Sequence, residues 1–227
     1  MYKKSIKFKT STDAVELINA IEEEKKIKYP VNLRAIVSTR EAGSIIGKAG
    51  CAIQTISENY NVSIKLSPEK TGNRRLVHVT GLYQYSANAW VALLKRIMDI
   101  VRKDEHYNCH KNYGIDFVLP DGFILYLIQE DVLDMIAKTS CTKIHVKSDY
   151  LPRSTERIIR ISIQNKENIH HFERAVQLLF EQLSIHARLA LSFPGNSFYI
   201  YSEEDDHDLY SICSNSREDE IIYNYCI

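Results

Sequence analysis

Arg40-Glu41-Ala42-Gly43-Ser44-Ile45-Ile46-Gly47-Lys48-Ala49-Gly50, with Ile53 three residues further on, is the stretch that decides the fold of this chain. Gly47 and Gly50 bracket Lys48 and Ala49 between two short segments that read as helices. Glycine reaches backbone angles closed to other residues, so a Gly-x-x-Gly link can join two helices tightly. Lacking Cβ atoms, it also leaves room for a sugar-phosphate chain against the backbone. A helix starting at Cys51 would direct its unpaired N–H groups and positive dipole end at the same place. Lys48 adds a cation at the tip. Alone, so short a pattern marks only a tight turn. Its surroundings give it meaning.

Before it, Val31 to Thr39 alternates around Leu33, Ala35 and Val37 as a strand, entered from Pro30. After it come a helix with Ile53 and Ile56 on one face, a strand at Val62–Leu66, and a Pro- and Gly-containing loop at Ser67–Asn73. Leu76–Val79 is a further strand. A long helix follows from Tyr83 to Lys103, with Trp90, Leu93, Leu94, Ile97 and Val101 at helical spacing. The order is β-α-α-β-β-α. Beyond a polar stretch it recurs: strand Ile115–Leu119, helices Gly122–Ile128 and Val132–Thr139, strands Lys143–Lys147 and Arg157–Ile163, helix Glu167–Leu189. A shift of eighty positions takes Ile53 to Leu133, Ile56 to Ile136 and Ile64 to Ile144. After a loop two residues longer, Arg75 maps to Arg157. One supersecondary unit is repeated.

The expected organisation is an N-terminal extension at 1–30 with a short helix (Ala14, Leu17, Ile18 and Ile21 on one stripe), a first domain at 31–104, a linker at 105–112, a second domain at 113–190 and an acidic, aromatic tail at 191–227.

The stretch from Arg40 to Gly50 with Ile53, set in this element order, resembles the signature of type I KH (K-homology) domains, as in the poly(C)-binding and Nova families and their fungal tandem-KH relatives. The resemblance covers Asn32–Arg102 well and Tyr113–Leu189 more weakly. It implies an α+β fold of two type I KH domains, each a three-stranded antiparallel sheet with three helices. It also implies a single-stranded RNA groove, whose Gly-x-x-Gly loop clamps about four nucleotides of backbone. Carried over by position, that groove comprises Arg40, Gly43, Ser44, Ile46, Gly47, Lys48, Ala49, Gly50 and Ile53, with Ile64, Lys65 and Leu66 as the opposite wall. Arg75 matches the residue that reads a base edge, often cytosine, in poly(C)-binding relatives. Apolar walls suit base faces, and Lys48 suits phosphate. The second copy departs from the pattern. Leu127-Ile128-Gln129-Glu130 stands where Gly-x-x-Gly should, without glycine or lysine. Weak or no RNA binding by the usual route is expected there, with Arg157 kept as a possible extension of the path.

Charge is compatible with this reading only when it is resolved along the chain. The 227 residues carry no net formal charge. Residues 31–104, however, hold 11 basic and 5 acidic side chains, and residues 191–227 hold 1 and 8. A basic module is masked by an acidic tail. Phe193, Phe198, Tyr199, Tyr201, Tyr210, Tyr223 and Tyr225 punctuate that tail. It reads either as disordered, or as a segment docking on a basic protein or competing for the groove. Five scattered cysteines without a CxxC pair indicate reduced thiols, and no apolar run approaches the ~20 residues of a membrane span.

Gly43-x-x-x-Gly47-Lys48-Ala49 lacks both the length and the Ser/Thr of a P-loop. His106-x-x-Cys109-His110 has no second half-site of zinc-like spacing, and no catalytic constellation is recognisable. The expectation is a non-enzymatic protein, intracellular in nucleus or cytoplasm, without cofactor or metal. It would bind single-stranded RNA (single-stranded DNA as lesser ligand) around a pyrimidine or cytosine core and act in splicing, localisation or translation of mRNA. A protein partner would meet the second domain or the tail. The competing expectation is a protein-interaction scaffold with a vestigial groove.

Overall fold

The computed structural model describes residues 30–68, 73–101, 112–186, 195–200, 202–214 and 220–225. The expected helix of the N-terminal extension, and the linker up to residue 111, lie outside them.

In chain order the first unit contains β1 (Val31–Ser38), α1 (Thr39–Ile46), α2 (Cys51–Asn59), β2 (Ser63–Leu66), β3 (Arg74–Gly81) and α3 (Tyr83–Val101). The same order follows in β4 (Tyr113–Pro120), α4 (Asp121–Gln129), α5 (Val132–Ser140), β5 (Lys143–Tyr150), β6 (Glu156–Ile163) and α6 (Ile169–Ile185). A helix α7 (Asp206–Ser214) and a strand β7 (Ile221–Asn224) complete the described chain. None of the described helices is long and apolar enough to cross a membrane.

All the described strands form one antiparallel sheet, in the order β2-β3-β1-β4-β6-β5-β7. Two separate three-stranded sheets were expected. They are instead fused, because β1 pairs with β4 through Arg34–Val118, Ala35–Phe117 and Ile36–Asp116. Each three-stranded sheet alone would leave its first strand as an edge with unpaired backbone groups, and joining the two removes both edges. Val37 pairs with Arg75 in one unit as Leu119 pairs with Arg157 in the other, so the units match in register.

The helices of both units cover one face of the sheet over a shared core. At the seam the Trp90 ring meets Phe117 edge-on at 5.0 Å, and Phe117 stacks on Phe172 at 6.3 Å. Each of these buried rings is worth roughly 1.5–3 kcal/mol by area. The aromatic chain crosses from one unit to the other.

The opposite face carries the tail. Tyr199, Leu209 and Ile212 pack on Leu151, just beyond β5, and on Ile36, Leu76, Val118 and Ile158, which alternate with the core residues along their strands. Buried Glu156 accepts from the Tyr199 amide at 2.7 Å and pairs with Arg34. Arg153 pairs with Asp205 at 2.8 Å. The described parts of the tail are therefore built into the fold. Its apolar residues at 199, 209 and 212 are explained by a sheet face that would otherwise be bare.

Candidate nucleic-acid interface

α1 begins with a capping box. The Ser38 amide donates to the Glu41 carboxylate at 2.7 Å, and the Glu41 amide donates to Ser38 Oγ at 3.2 Å. Its other end is closed by Gly47, whose N–H donates to the Gly43 carbonyl at 2.9 Å. Gly47 has φ +71°, Ala49 +51° and Gly50 +79°, so three of the four turn residues are left-handed. The two glycines have different reasons to be glycine. A Cβ on Gly47 would lie 2.6 Å from the Ala52 Cβ, whereas one on Gly50 would meet nothing within 4 Å. Gly47 lets the two helices approach, and Gly50 leaves the start of α2 open. Gly43 is open in the same way. Lys48 and Ala49 are exposed at the tip.

The groove floor is apolar. Ile64 and Leu66 pair with Val79 and Val77 and turn, half-buried, toward the helices, and Ile53 of α2 packs half-buried against the same core. Lys65 pairs with His78 and faces the other side of the sheet, away from the turn. There His78 is held below the ordinary histidine value by its burial and by the charges of Arg34 and Lys65. Arg75 lies on the helix side, and its Nε and Nη2 donate to the Ser67 carbonyl at 3.0 and 2.6 Å. This fixes the guanidinium at the end of β2 and leaves Nη1 without a bond among the described residues. Arg40 and Ile46 lie on α1, exposed and half-buried respectively. The Ser44 hydroxyl turns inward and donates to the Arg96 carbonyl at 2.6 Å.

Arg96 is a residue the sequence did not bring forward. Its Nε donates to the Ser44 carbonyl at 3.2 Å, and its Nη2 reaches to 3.4 Å from where a Gly47 Cβ would stand. With Lys48, Cys51, Ala52, Thr55 and Ile56 it lines a hollow beside the turn. In the sequence it is one more polar position on α3, and only tertiary packing brings it to the turn. The arrangement offers α2 backbone N–H groups and two cations to an anion, next to an apolar floor for flat rings.

The second unit lacks this geometry, and its turn does not fall where the sequence suggested. Leu127 to Gln129 lie inside α4, with Leu127 fully buried; the turn is Glu130 and Asp131 alone. Val37 and Leu119 correspond at an offset of 82, Ile64 and Ile144 at an offset of 80. Two residues are thus missing from the turn itself. Asp131 takes the left-handed conformation (φ +53°) that Gly50 takes in the first unit. Arg157 donates from Nε to the Lys147 carbonyl at 2.8 Å, as Arg75 does to Ser67, but its Nη1 is occupied by Asp121 at 2.9 Å. The cation that could have extended an RNA path is neutralised.

An antiparallel β-α-α-β-β-α unit with a doubly glycine-bracketed, cationic turn defines a KH domain, and the KH domain family model matches residues 32–95. The region containing it is similar to Heterogeneous nuclear rnp K-like protein 2 of Lachancea thermotolerans, 34% identical over 92 residues, 40% of this chain and 31% of that protein. The protein of the same name from Kluyveromyces lactis is 32% identical over 91 residues, 40% of this chain and 23% of that protein. The similarity spans less than a third of either relative.

Proposed function

We propose that this protein binds single-stranded RNA through the groove of its first unit and acts in mRNA metabolism, in splicing, localisation or translation. The observation that carries the reading is the turn itself. Gly47 and Gly50 are left-handed, the space over Gly50 and Gly43 is open, Lys48 is exposed, and α2 begins there. KH domains clamp single-stranded backbone with such a loop, and the name of the relatives, heterogeneous nuclear rnp K-like, supports a nuclear or cytoplasmic ribonucleoprotein setting. Lys48 and Arg96 serve phosphate, Ile64 and Leu66 serve base faces, and Nη1 of Arg75 serves a base edge, favouring a pyrimidine- or cytosine-containing core. The second unit is read as a KH fold that has lost its phosphate turn.

The test is titration of a random single-stranded RNA pool against the wild type and Lys48→Asp/Ala49→Asp at several salt concentrations. The wild type is expected to bind with an affinity that falls with salt, each phosphate contact contributing a slope of about 0.7. The variant is expected to lose at least about tenfold in affinity with its circular dichroism unchanged. Equal binding by both proteins, or binding indifferent to salt, would exclude this groove as the RNA site and favour the scaffold.

A further inference from the structure

The two units differ most where β2 and β5 correspond. Ile64 and Leu66 on β2 remain half-buried, and no described strand pairs with the outer edge of β2. Their counterparts on β5, Ile144 and Val146, are 1% and 0% exposed. The strand that covers them is β7. Tyr223 pairs with Ile144 and Ile221 with Val146, so both side chains enter the helix side of the sheet and pack against the core.

Tyr225 continues the alternation just beyond β7. Its hydroxyl donates to the Asp134 carboxylate on α5, and the Lys138 ammonium lies 5.2 Å from its ring centroid. Asp134 and Lys138 are themselves paired at 2.6 Å. On the other face, Glu220 is held between His145 and Lys147, the latter at 3.3 Å, with its side chain 2% exposed. A strand edge, an apolar slot for alternate side chains and charged pairs for a carboxylate and a tyrosine make up a site that reads an extended peptide. The same place is poor for phosphate, because the carboxylates of Asp131 and Asp134 stand near Tyr223 and no glycine opens the turn.

We propose that the groove of the second unit is a peptide-binding site for an extended strand of the pattern Glu-Ile-x-Tyr-x-Tyr, and that its resident ligand is residues 220–225 of this chain. On this assignment the second unit takes peptide at the position where a KH domain takes nucleic acid. The assignment does not use the groove of the first unit.

The test uses the full chain carrying Glu220→Ala, Tyr223→Ala and Tyr225→Ala together. Hydrogen exchange of those β5 amides within Lys143–Val146 that point to β7 should quicken by at least about tenfold, while the alternate amides that point to β6, and β4 and β6 themselves, stay protected. A labelled synthetic peptide of residues 219–227 should bind the variant saturably and restore that protection. The wild type, already filled, should bind the peptide at least about tenfold more weakly, and a peptide with both tyrosines changed to alanine should not bind. Because the triple change could loosen the whole unit, the single substitution Tyr225→Ala, at an exposed residue, serves as a second variant and should still raise β5 exchange severalfold. Unchanged β5 exchange in either variant, or no peptide binding to the triple variant, would overturn the assignment. So would salt-dependent uptake of oligocytidine in place of peptide by the triple variant with Lys48→Asp/Ala49→Asp added. Failure of the first groove to bind RNA would leave every one of these readings intact.

Discussion

Set side by side, the turn of residues 47–50 and the turn of residues 130–131 do opposite things with the same fold. The first spends four residues, three of them left-handed, on exposing backbone and a lysine. The second closes the same helix pair in two residues and puts acidic side chains outside. The corresponding arginines diverge in step: Arg75 keeps a free donor among the described residues, and Arg157 is tied to Asp121. The β-α-α-β-β-α unit therefore closes its first helix pair with or without the four-residue glycine turn.

The largest effect that would sharpen this contrast is expected from the glycines. Gly47→Ala combines a left-handed backbone with a 2.6 Å clash against Ala52 and should lower unfolding stability by about 2–4 kcal/mol. Gly50→Ala keeps the strain without the clash and should cost about 1–2 kcal/mol. Urea denaturation of both full-length variants measures the difference. Equal losses would mean that the two glycines share one role.

A smaller effect is expected in the second unit. Asp121→Asn leaves Arg157 partly buried without its carboxylate and should cost about 1–2 kcal/mol, read by the same denaturation. Arg75→Gln in the first unit breaks no ion pair among the described residues and should cost less. The reverse ranking would break the comparison between the two arginines.

The smallest effect concerns acid. Arg34 faces His78 across β1 and β3, while the corresponding pair in the second unit, Asp116 and Arg160, is an ion pair at 2.8 Å. Burial and two neighbouring cations hold His78 below the ordinary value of 6.5, so the fold favours its neutral form. Its contribution to stability is complete above pH 6.5 and is lost as the pH falls through the lowered value. The urea midpoint should drop as the pH falls below about 6.5, and His78→Gln should reduce that drop. An identical drop in the variant would move the acid sensitivity elsewhere.

Most of the element order was legible in the sequence, because Leu33, Ala35 and Val37, or Trp90, Leu93 and Ile97, follow the periods of strand and helix without interruption. The turn was legible because glycines at 47 and 50, set between two helical stretches, mark a backbone link that side chains would obstruct. Three features were not legible. The β1–β4 pairing depends on two backbone edges, which leave no mark on side-chain pattern. The turn in the second unit was misplaced because the two-residue deletion there is compensated by the longer β5–β6 loop, so a single offset fits on either side. The tail was obscured by its charge: an acidic, aromatic segment reads as well as disordered as it does as docking on a basic surface or competing for the groove, yet Asp205 is 2% exposed and paired with Arg153. Ser44 and Lys65 show the same limit at the site. Sequence placed Ser44 in the groove and Lys65 on its opposite wall, but side-chain direction turns Ser44 toward α3 and Lys65 to the far face.

The fused sheet also acts as a ruler. Five strand spacings separate β2 from β5, which sets these two strands roughly 24 Å apart. Because β1 and β4 run antiparallel, the two ends present opposite polarity. A ligand seated at one end cannot slide onto the other, and whatever is captured at β5 is held at a set distance and heading from whatever is captured at β2.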